Sequence, residues 1–541
     1  MTFCEKLEIL QQFPGLHEVY ALRHPKTDEG FRVNSILRRW LNNGKRRIQR
    51  RLDPADLRGC GNPMFTASNI HYETSGRVRG ITHGGIGTFH ALARQLGLIE
   101  AIDQRLHLLQ VHLPYHESDH VLNIAYNPLC DGTCYQDIEL RRNDENFLNA
   151  LGARRIPDPT TAGDFCRRFR RDHIYILQDI INDTRLKAWA NQPRAFFDRA
   201  VIDMDGTLVG TTGACKQGMD IAYEGTWGYH PLVLSLANTG EVLGLVNRPA
   251  NRPSHEGAAA EVDRALAVCF RGGFRRVLLR GDTDFSQNEH LDRWDADGRI
   301  TFVFGYEAAP NLKAIAEDLP ESAWRRLERP AHYEVRTRPR RRPDKVKEAI
   351  VAARGYENLR LNGEDVAEFP YRPTACKKTY RMVVVRKNIT REKGEQRLFD
   401  EVRYFFTITN GRAEQPPDVV FTANDRCNQE NLLAQLHNGV RALKAPSNTL
   451  ESNWAHMVMT ALAWNLKAWW ALALPETPGR WAEQRREQKA WLLGLEFKTF
   501  VSTFVRLPCQ VIRTGRKLVY RLLGWNPHLP IFLHVVAALR C

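Results

Sequence analysis

Apolar and polar positions along this chain recur with two different periods, and the change of period divides it. Over 80–192 the spacing is three to four residues, as in Leu92, Leu96, Leu98, Ile99 and Ile102, which predicts an all-helical region. Within it, Thr160-Thr161 followed by Asp164 predicts a capping box that opens a basic helix over 165–171. Over 196–304 the period shortens to that of strands, predicted at 200–209, 231–237, 242–247, 277–279 and 300–304, with helices at 255–270 and 287–296. Three consecutive strands followed by strand-helix alternation give a mixed sheet with helices packed on it, an α/β architecture. Further on, 379–386 and 402–409 read as strands, 424–443 and 452–474 as helices, and the tail around 506–518 as strand-like. The most apolar window, 454–474, contains His456, Asn465 and Lys467 and stops before Pro475, so it is expected to be a buried helix and not a membrane span.

Acids interrupt this apolar pattern where a core would not tolerate them unaided. The first strand reads Ala200-Val201-Ile202-Asp203-Met204-Asp205-Gly206, and the two-residue spacing puts both carboxylates on one face. Asp282 closes the strand Val277-Leu278-Leu279-Arg280-Gly281, at the carboxyl end where open sheets place ligands. Buried ionised carboxylates are costly unless they meet a cation or titrate for a purpose; the other reading is that the strand ends in an Asp-Gly turn with solvated acids. His112, His116 and His120 lie near Cys130 and Cys134, but Pro114 breaks the helix that would align the histidines, and no zinc site is expected.

Charge narrows the class of partner. In 541 residues, 77 Lys and Arg against 62 Asp and Glu leave a formal +15, and length alone implies several domains. The surplus is clustered, in Arg38-Arg39-Trp40 with Lys45-Arg46-Arg47, and in Arg325, Arg326, Arg329, Arg336, Arg338, Arg340, Arg341, Arg342, Lys345 and Lys347. Clusters of this kind point to a polyanion, and nucleic acid is expected in preference to a membrane. Residues 1–20 carry no signal-peptide pattern, so a cytoplasmic protein is expected, with its eleven cysteines reduced.

Two chemistries fit the acids. Asp203-Met204-Asp205-Gly206-Thr207-Leu208 resembles the nucleophile motif of haloacid dehalogenase-type phosphatases, in which the first Asp attacks phosphorus and the second is the general acid; Ser286 stands where that family has a distal acid, with Asp284 nearby. Alternatively Asp205, Asp282 and a later Glu form a three-carboxylate cage for two divalent cations that drive phosphoryl transfer. For the second, Asp203-x-Asp205-Gly206-Thr207, Tyr229-His230-Pro231-Leu232, Leu279-Arg280-Gly281-Asp282 and Arg426-x-x-x-Glu430-Asn431 occur in order, with Trp464-Asn465-Leu466 and Arg513-x-Gly515-Arg516 further on. In this the chain resembles DDE transposases of the insertion-sequence-1380 type, relatives of the insertion-sequence-four group, over roughly residues 80–525. Of that group's Tyr, Arg, Glu and Lys signature, Arg426 and Glu430 are kept, while Ala423 and His437 stand at the Tyr and Lys positions.

The resemblance implies an RNase H-like mixed sheet flanked by helices and interrupted by a β-rich insertion, with an N-terminal helical region. The corresponding division is a basic appendage (1–79), a helical region expected to bind DNA (80–195), the first part of the catalytic core (196–305), the basic insertion (306–415), the second part of the core with the Glu helix (416–475) and a basic tail (476–541). It also implies cut-and-paste transposition by Asp205, Asp282 and Glu430 holding two Mg2+ or Mn2+ ions, with Asp203 as the alternative first-strand ligand. Arg426, His437, Arg338, Arg340, Arg341, Arg342, Lys45, Arg46 and Arg47 are the expected DNA contacts. The implied partners are the element's terminal inverted repeats, target DNA and a second copy of the chain. An inert DNA-binding descendant of such an element is the remaining alternative; it would be suspected if an acid were missing, and all three are present.

Overall fold

The computed structural model describes residues 35–53, 55, 67, 70–73, 78–112, 114–329, 346–393, 396–476, 479–515 and 517–539. Helix α1 (Ser35–Arg51) turns Leu41 into the main core and lays the bare backbone of Gly44 against Trp525, while Lys45, Arg46 and Arg47 face solvent. Helices α2 (Ile86–Gln95), α3 (Leu98–Arg105), α4 (Glu117–Leu129), α5 (Pro159–Arg167) and α6 (Arg171–Trp189) form the helical region that periodicity predicts. The cap of α5 differs from expectation. Asp158, not Thr160, accepts the Thr161 N–H at 2.8 Å, Pro159 occupies the first turn, and the helix ends at Arg167 before α6 begins. An Asp-Pro pair starts a helix more strongly than the threonines behind it, because proline's fixed φ suits the first turn and its missing N–H is not needed there.

The sheet holds nine strands among the described residues. They are β1 (Ala200–Gly206), β2 (Leu232–Leu236), β3 (Glu241–Val246), β4 (Val277–Gly281), β5 (Ile300–Tyr306), β6 (Arg325–Arg326), β7 (Glu357–Tyr371), β8 (Tyr380–Lys393) and β9 (Gln396–Thr409), in the spatial order β6-β7-β8-β9-β5-β4-β1-β2-β3. β1, β4 and β5 run parallel, and every other neighbouring pair is antiparallel. The first strand is shorter than its apolar run, because the chain leaves the sheet after Gly206, and Val209–Gly210 pairs instead with Trp227–Tyr229 in a small separate sheet. Strands from 306–415 continue the main sheet, with β9 joining β5 through Phe406 to Thr409.

Both faces of the sheet are covered. α7 (Ala258–Arg271) and α8 (Asn288–Ala296) bury apolar sides in the main core, and α9 (Pro416–Asn424) closes a second cluster of Leu278, Val303, Val366, Val383 and Val385 with Val419 and Val420. The helix expected over 424–443 is broken. α9 stops at Asn424, α10 (Cys427–Ala434) follows, and a π turn (Gln435–Gly439) ends it. Helix α11 (Leu450–Leu472), buried from Ser452 onward, threads the centre against α4, α6 and β3. Among the described residues no helix is long and apolar enough to cross a membrane.

One polar knot ties these layers together. Glu241, fully buried at the start of β3, accepts from Arg185 Nε (2.9 Å) and Trp189 Nε1 (3.0 Å) on α6, from Trp469 Nε1 (2.7 Å) on α11 and from Thr239 Oγ1 (2.6 Å). Arg185 is completed by Asn182 and the Val242 carbonyl, so no charge in the knot lacks a partner.

Candidate active site

Asp203 and Asp205 leave β1 on the same face and meet opposite fates. Arg280, one strand away on β4, forks both oxygens of Asp203 at 2.6 and 2.7 Å and donates a third bond to the Thr422 carbonyl at 3.1 Å. Only 1% of the Asp203 side chain is exposed. Burial pushes its carboxyl up, and the guanidinium fork pulls against that shift. With both oxygens engaged, Asp203 is not free to attack phosphorus as the phosphatase motif requires.

Asp205, 14% exposed, accepts one bond from Arg426 Nη1 at 3.1 Å. Burial pushes its pKa up to about 6; Arg426 opposes the rise and the neighbouring charge of Asp282 adds to it. Asp282 follows β4 and caps the turn Thr283–Phe285, accepting the Asp284 N–H at 3.0 Å. Its carboxyl is also raised, by burial first, with Arg426 opposing and Asp284 and Glu430 adding. The turn packs closely on β5 because Gly305 has no side chain. A Cβ there would come within 2.8 Å of the Thr283 nitrogen.

Glu430 projects from the first turn of α10, 64% exposed, with Oε1 at 3.9 Å from Arg426 Nη2. Its helix is fixed by the preceding residue. Gln429, buried, donates to the Val233 carbonyl at 3.2 Å and accepts from Ser235 Oγ, on the β2 residues that pair with Asp205 and Asp203. Asp205, Asp282 and Glu430 therefore come from three distant stretches of sequence to one sheet edge, and the Arg426 guanidinium stands between Asp205 and Glu430.

Around them, His437 in the π turn shares a 3.1 Å hydrogen bond with Thr207 Oγ1, just beyond Asp205-Gly206, and burial lowers its pKa. His230 covers Gly206, where a Cβ would lie 2.6 Å from its Nε2, and its Nδ1 donates to the Arg252 carbonyl at 2.9 Å. Burial lowers this imidazole too, so its neutral form turns Nε2 toward the strand end. A cavity of about 830 Å³ lined by Arg252, His255, Asp263, Gln287, His290 and Arg293 opens beside the segment that follows Asp282.

Carboxylate oxygens from separate elements are the donors a hard divalent cation takes, so the set fits Mg2+ or Mn2+ in kind. Yet among the described residues no three His, Cys, Asp or Glu side chains stand close enough to hold one ion. Of the His and Cys residues near Pro114, His112 pairs with Glu117 at 3.1 Å, His120 stacks on Phe165, and Cys134 lies on Asp137. Of the basic positions, Lys45, Arg46 and Arg47 are exposed on α1, whereas Arg338, Arg340, Arg341 and Arg342 lie outside the described residues. Sequence reasoning gave no role to Arg280, Gln429 or His230, although Arg280 and His230 sit inside the quoted motifs. Only Gln429 carries no sequence signal, since its two partners come from a strand nearly 200 residues away.

The profile of the family described as Transposase DDE domain group 1 matches residues 63–541. No curated protein sequence matches. Among solved structures the chain is similar to a piggyBac transposase in a synaptic complex with hairpin DNA, at 12% identity over 78% of this chain and 82% of that one, with a TM-score of 0.35.

Proposed function

Because the chain belongs to the DDE transposase family, group 1, we propose that it cuts the DNA ends of its own insertion sequence and joins them to a new site, in the manner of the insertion-sequence-1380 type. The observation that carries this is the gathering of Asp205, Asp282 and Glu430 around one guanidinium at the carboxyl ends of β1 and β4. The order β3-β2-β1-β4-β5, antiparallel up to β1 and parallel after it, is then read as an RNase H-like core from which β6 to β9 extend.

In this reading Asp205, Asp282 and Glu430 would hold two Mg2+ or Mn2+ ions. When bound, the ions supply activation of the attacking oxygen and charge stabilisation at the leaving one. Burial of Asp205 and Asp282 makes them strong partners for a cation, because the ionised carboxylates are otherwise poorly solvated. Asp203 is a positioning residue that locks β1 to β4 through Arg280. Water attacks phosphorus and breaks the P–O3′ bond at the element end, leaving a 5′ phosphate on the flank, and the freed 3′ hydroxyl then attacks a target phosphodiester and displaces the target's own 3′ oxygen. In this reading Arg426 and His437 would meet phosphate oxygens at the strand end, and the exposed Lys45, Arg46 and Arg47 the duplex backbone. The partners would be terminal repeats, target DNA and, when two ends are joined, a second copy of the chain, acting in the cytoplasm.

The test is Mg2+-dependent nicking of a labelled duplex carrying the DNA that flanks this chain's own gene. Nicking by the parent that disappears in Glu430→Gln, with duplex binding intact, supports the proposal. Hydrolysis of small phosphomonoesters without nicking would return the phosphatase.

A further inference from the structure

Two arginines face the two acids of β1, and they are held very differently. Arg280 makes three hydrogen bonds, two of them to a single carboxylate, and is 7% exposed. Arg426 makes one bond of ordinary length, to Asp205, and reaches Glu430 only at 3.9 Å. Arg280 has the fork geometry of a permanent ion pair, whereas Arg426 is held by charge more than by directed bonds. It lies in the break between α9 and α10, one turn before Glu430, so its side chain reaches both Asp205 and Glu430 from a fixed helical backbone.

Arg426 also stands where the acids would have to converge. No three acids surround one point among the described residues, and the side chain between Asp205 and Glu430 is this guanidinium. Its charge is felt at Asp203, Asp205 and Asp282 alike. With Asp203 already paired to Arg280, the Arg426 guanidinium faces Asp205, Asp282 and Glu430 and does part of the electrostatic work that divalent ions would do, with one charge in place of several.

We propose that Arg426 is a resident counter-ion of the acid cluster that must give up its place before divalent cations are held there, and that a DNA phosphate is what draws it away. The proposal rests on the three-carboxylate site proposed above. A phosphate offers the guanidinium the two-point contact that Asp205 does not, so leaving the acids costs it little once DNA is present. Cation binding and DNA binding are thereby coupled, and linkage makes the coupling reciprocal: DNA tightens the cations, and the cations tighten DNA. Free protein stays a poor cation binder and does not carry a loaded nuclease site away from its substrate.

Mn2+ binding, read by the loss of the free-ion electron paramagnetic resonance signal, tests this without reference to activity. The samples are full-length parent, Arg426→Gln, Arg426→Lys and Glu430→Gln, each with and without a short duplex, and each checked by melting for a folded state. Without DNA, Arg426→Gln is expected to bind Mn2+ about ten-fold more tightly than the parent, as removal of one close positive charge at the edge of a protein requires. Arg426→Lys, which keeps the charge, is expected to stay near the parent. The duplex is expected to tighten Mn2+ on the parent and to add little to Arg426→Gln. Equal Mn2+ affinity of parent and Arg426→Gln without DNA would overturn the proposal while leaving the acid site intact, provided Glu430→Gln still weakens binding. Indifference of Mn2+ binding to Glu430→Gln in every sample would remove the site itself, and the proposal with it.

Discussion

Replacement of Glu241 by alanine should unfold the contact between the helical region and the sheet more readily than any surface change. The carboxylate receives four side-chain hydrogen bonds from α6, α11 and the turn before β3, and neither it nor Arg185 has any solvent exposure. Breaking a buried ion pair on one side costs about 3–5 kcal/mol, because the remaining charge is stranded. Each buried donor left without an acceptor adds about 1–3 kcal/mol. These terms overlap, since Arg185 keeps Asn182 and the Val242 carbonyl, so a loss of about 4 kcal/mol is the working figure. Urea unfolding followed by tryptophan fluorescence measures it directly, because Trp189 and Trp469 are themselves members of the knot. Replacing both partners by apolar residues, Glu241→Leu with Arg185→Met, should recover the ion-pair share of the loss, as neither charge is then stranded while Trp189, Trp469 and Thr239 still lack their acceptor. A single-variant loss below about 1 kcal/mol, or a double variant no better than the single one, would refute the idea that this pair binds the two layers.

Other consequences can be measured on the same protein. Asp203→Asn strands Arg280 and should destabilise by about 3–5 kcal/mol, so an unchanged urea midpoint would contradict its locked role. Asp205→Asn should do the reverse. The folded pKa of about 6 lies above the unfolded 3.8, so the native state holds the proton more tightly; the stability this confers is present below pH 3.8 and is lost as pH rises through about 6. The Asn variant should therefore melt higher than the parent at pH 7.5, by roughly 1–3 kcal/mol, with the gap closing at pH 4, and a gap that is constant with pH would sink the argument. Mn2+ affinity of the DNA-free parent should weaken as pH falls below about 6, where a proton competes with the cation for this carboxylate. Gln429→Leu frees α10 from β2 and should lower nicking on the order of ten- to hundred-fold through misplacement of Glu430, with duplex affinity retained; full activity would show that the helix is held by other contacts.

Legibility from sequence followed the hydrophobic pattern. β1, β2, β3, β4 and β5 were visible because each is an apolar run bounded by turn residues, and the ends of β1 and β4 could be located because an acid stands there. β7 was not, since its first half, Glu357-Asn358-Leu359-Arg360-Leu361-Asn362, is exposed and mostly polar, and Gly363-Glu364-Asp365 interrupts the pattern before the buried Val366, Ala367 and Phe369. The break at Arg426 and the π turn were hidden for a different reason. A helix that stops and restarts, or gains one residue per turn, keeps nearly the same apolar spacing. Within the site, spacing put Asp203 and Asp205 on one face but could not say which one Arg280 would claim, because that depends on the β1–β4 register, in which Asp203 pairs with Arg280. The Glu241 knot was invisible, as a single one of its bonds, Trp469 to Glu241, spans 228 residues.

The most direct measurement for the central claim is the position of the cations. Diffraction from crystals of the protein with bound duplex and Mn2+, collected for anomalous scattering, locates them independently of activity. The account predicts Mn2+ peaks bounded by the carboxylates of Asp205, Asp282 and Glu430, with Asp203 still forked on Arg280 and the Arg426 guanidinium turned toward a phosphate. Peaks elsewhere on the chain, with these three acids left empty in the DNA complex, would contradict it.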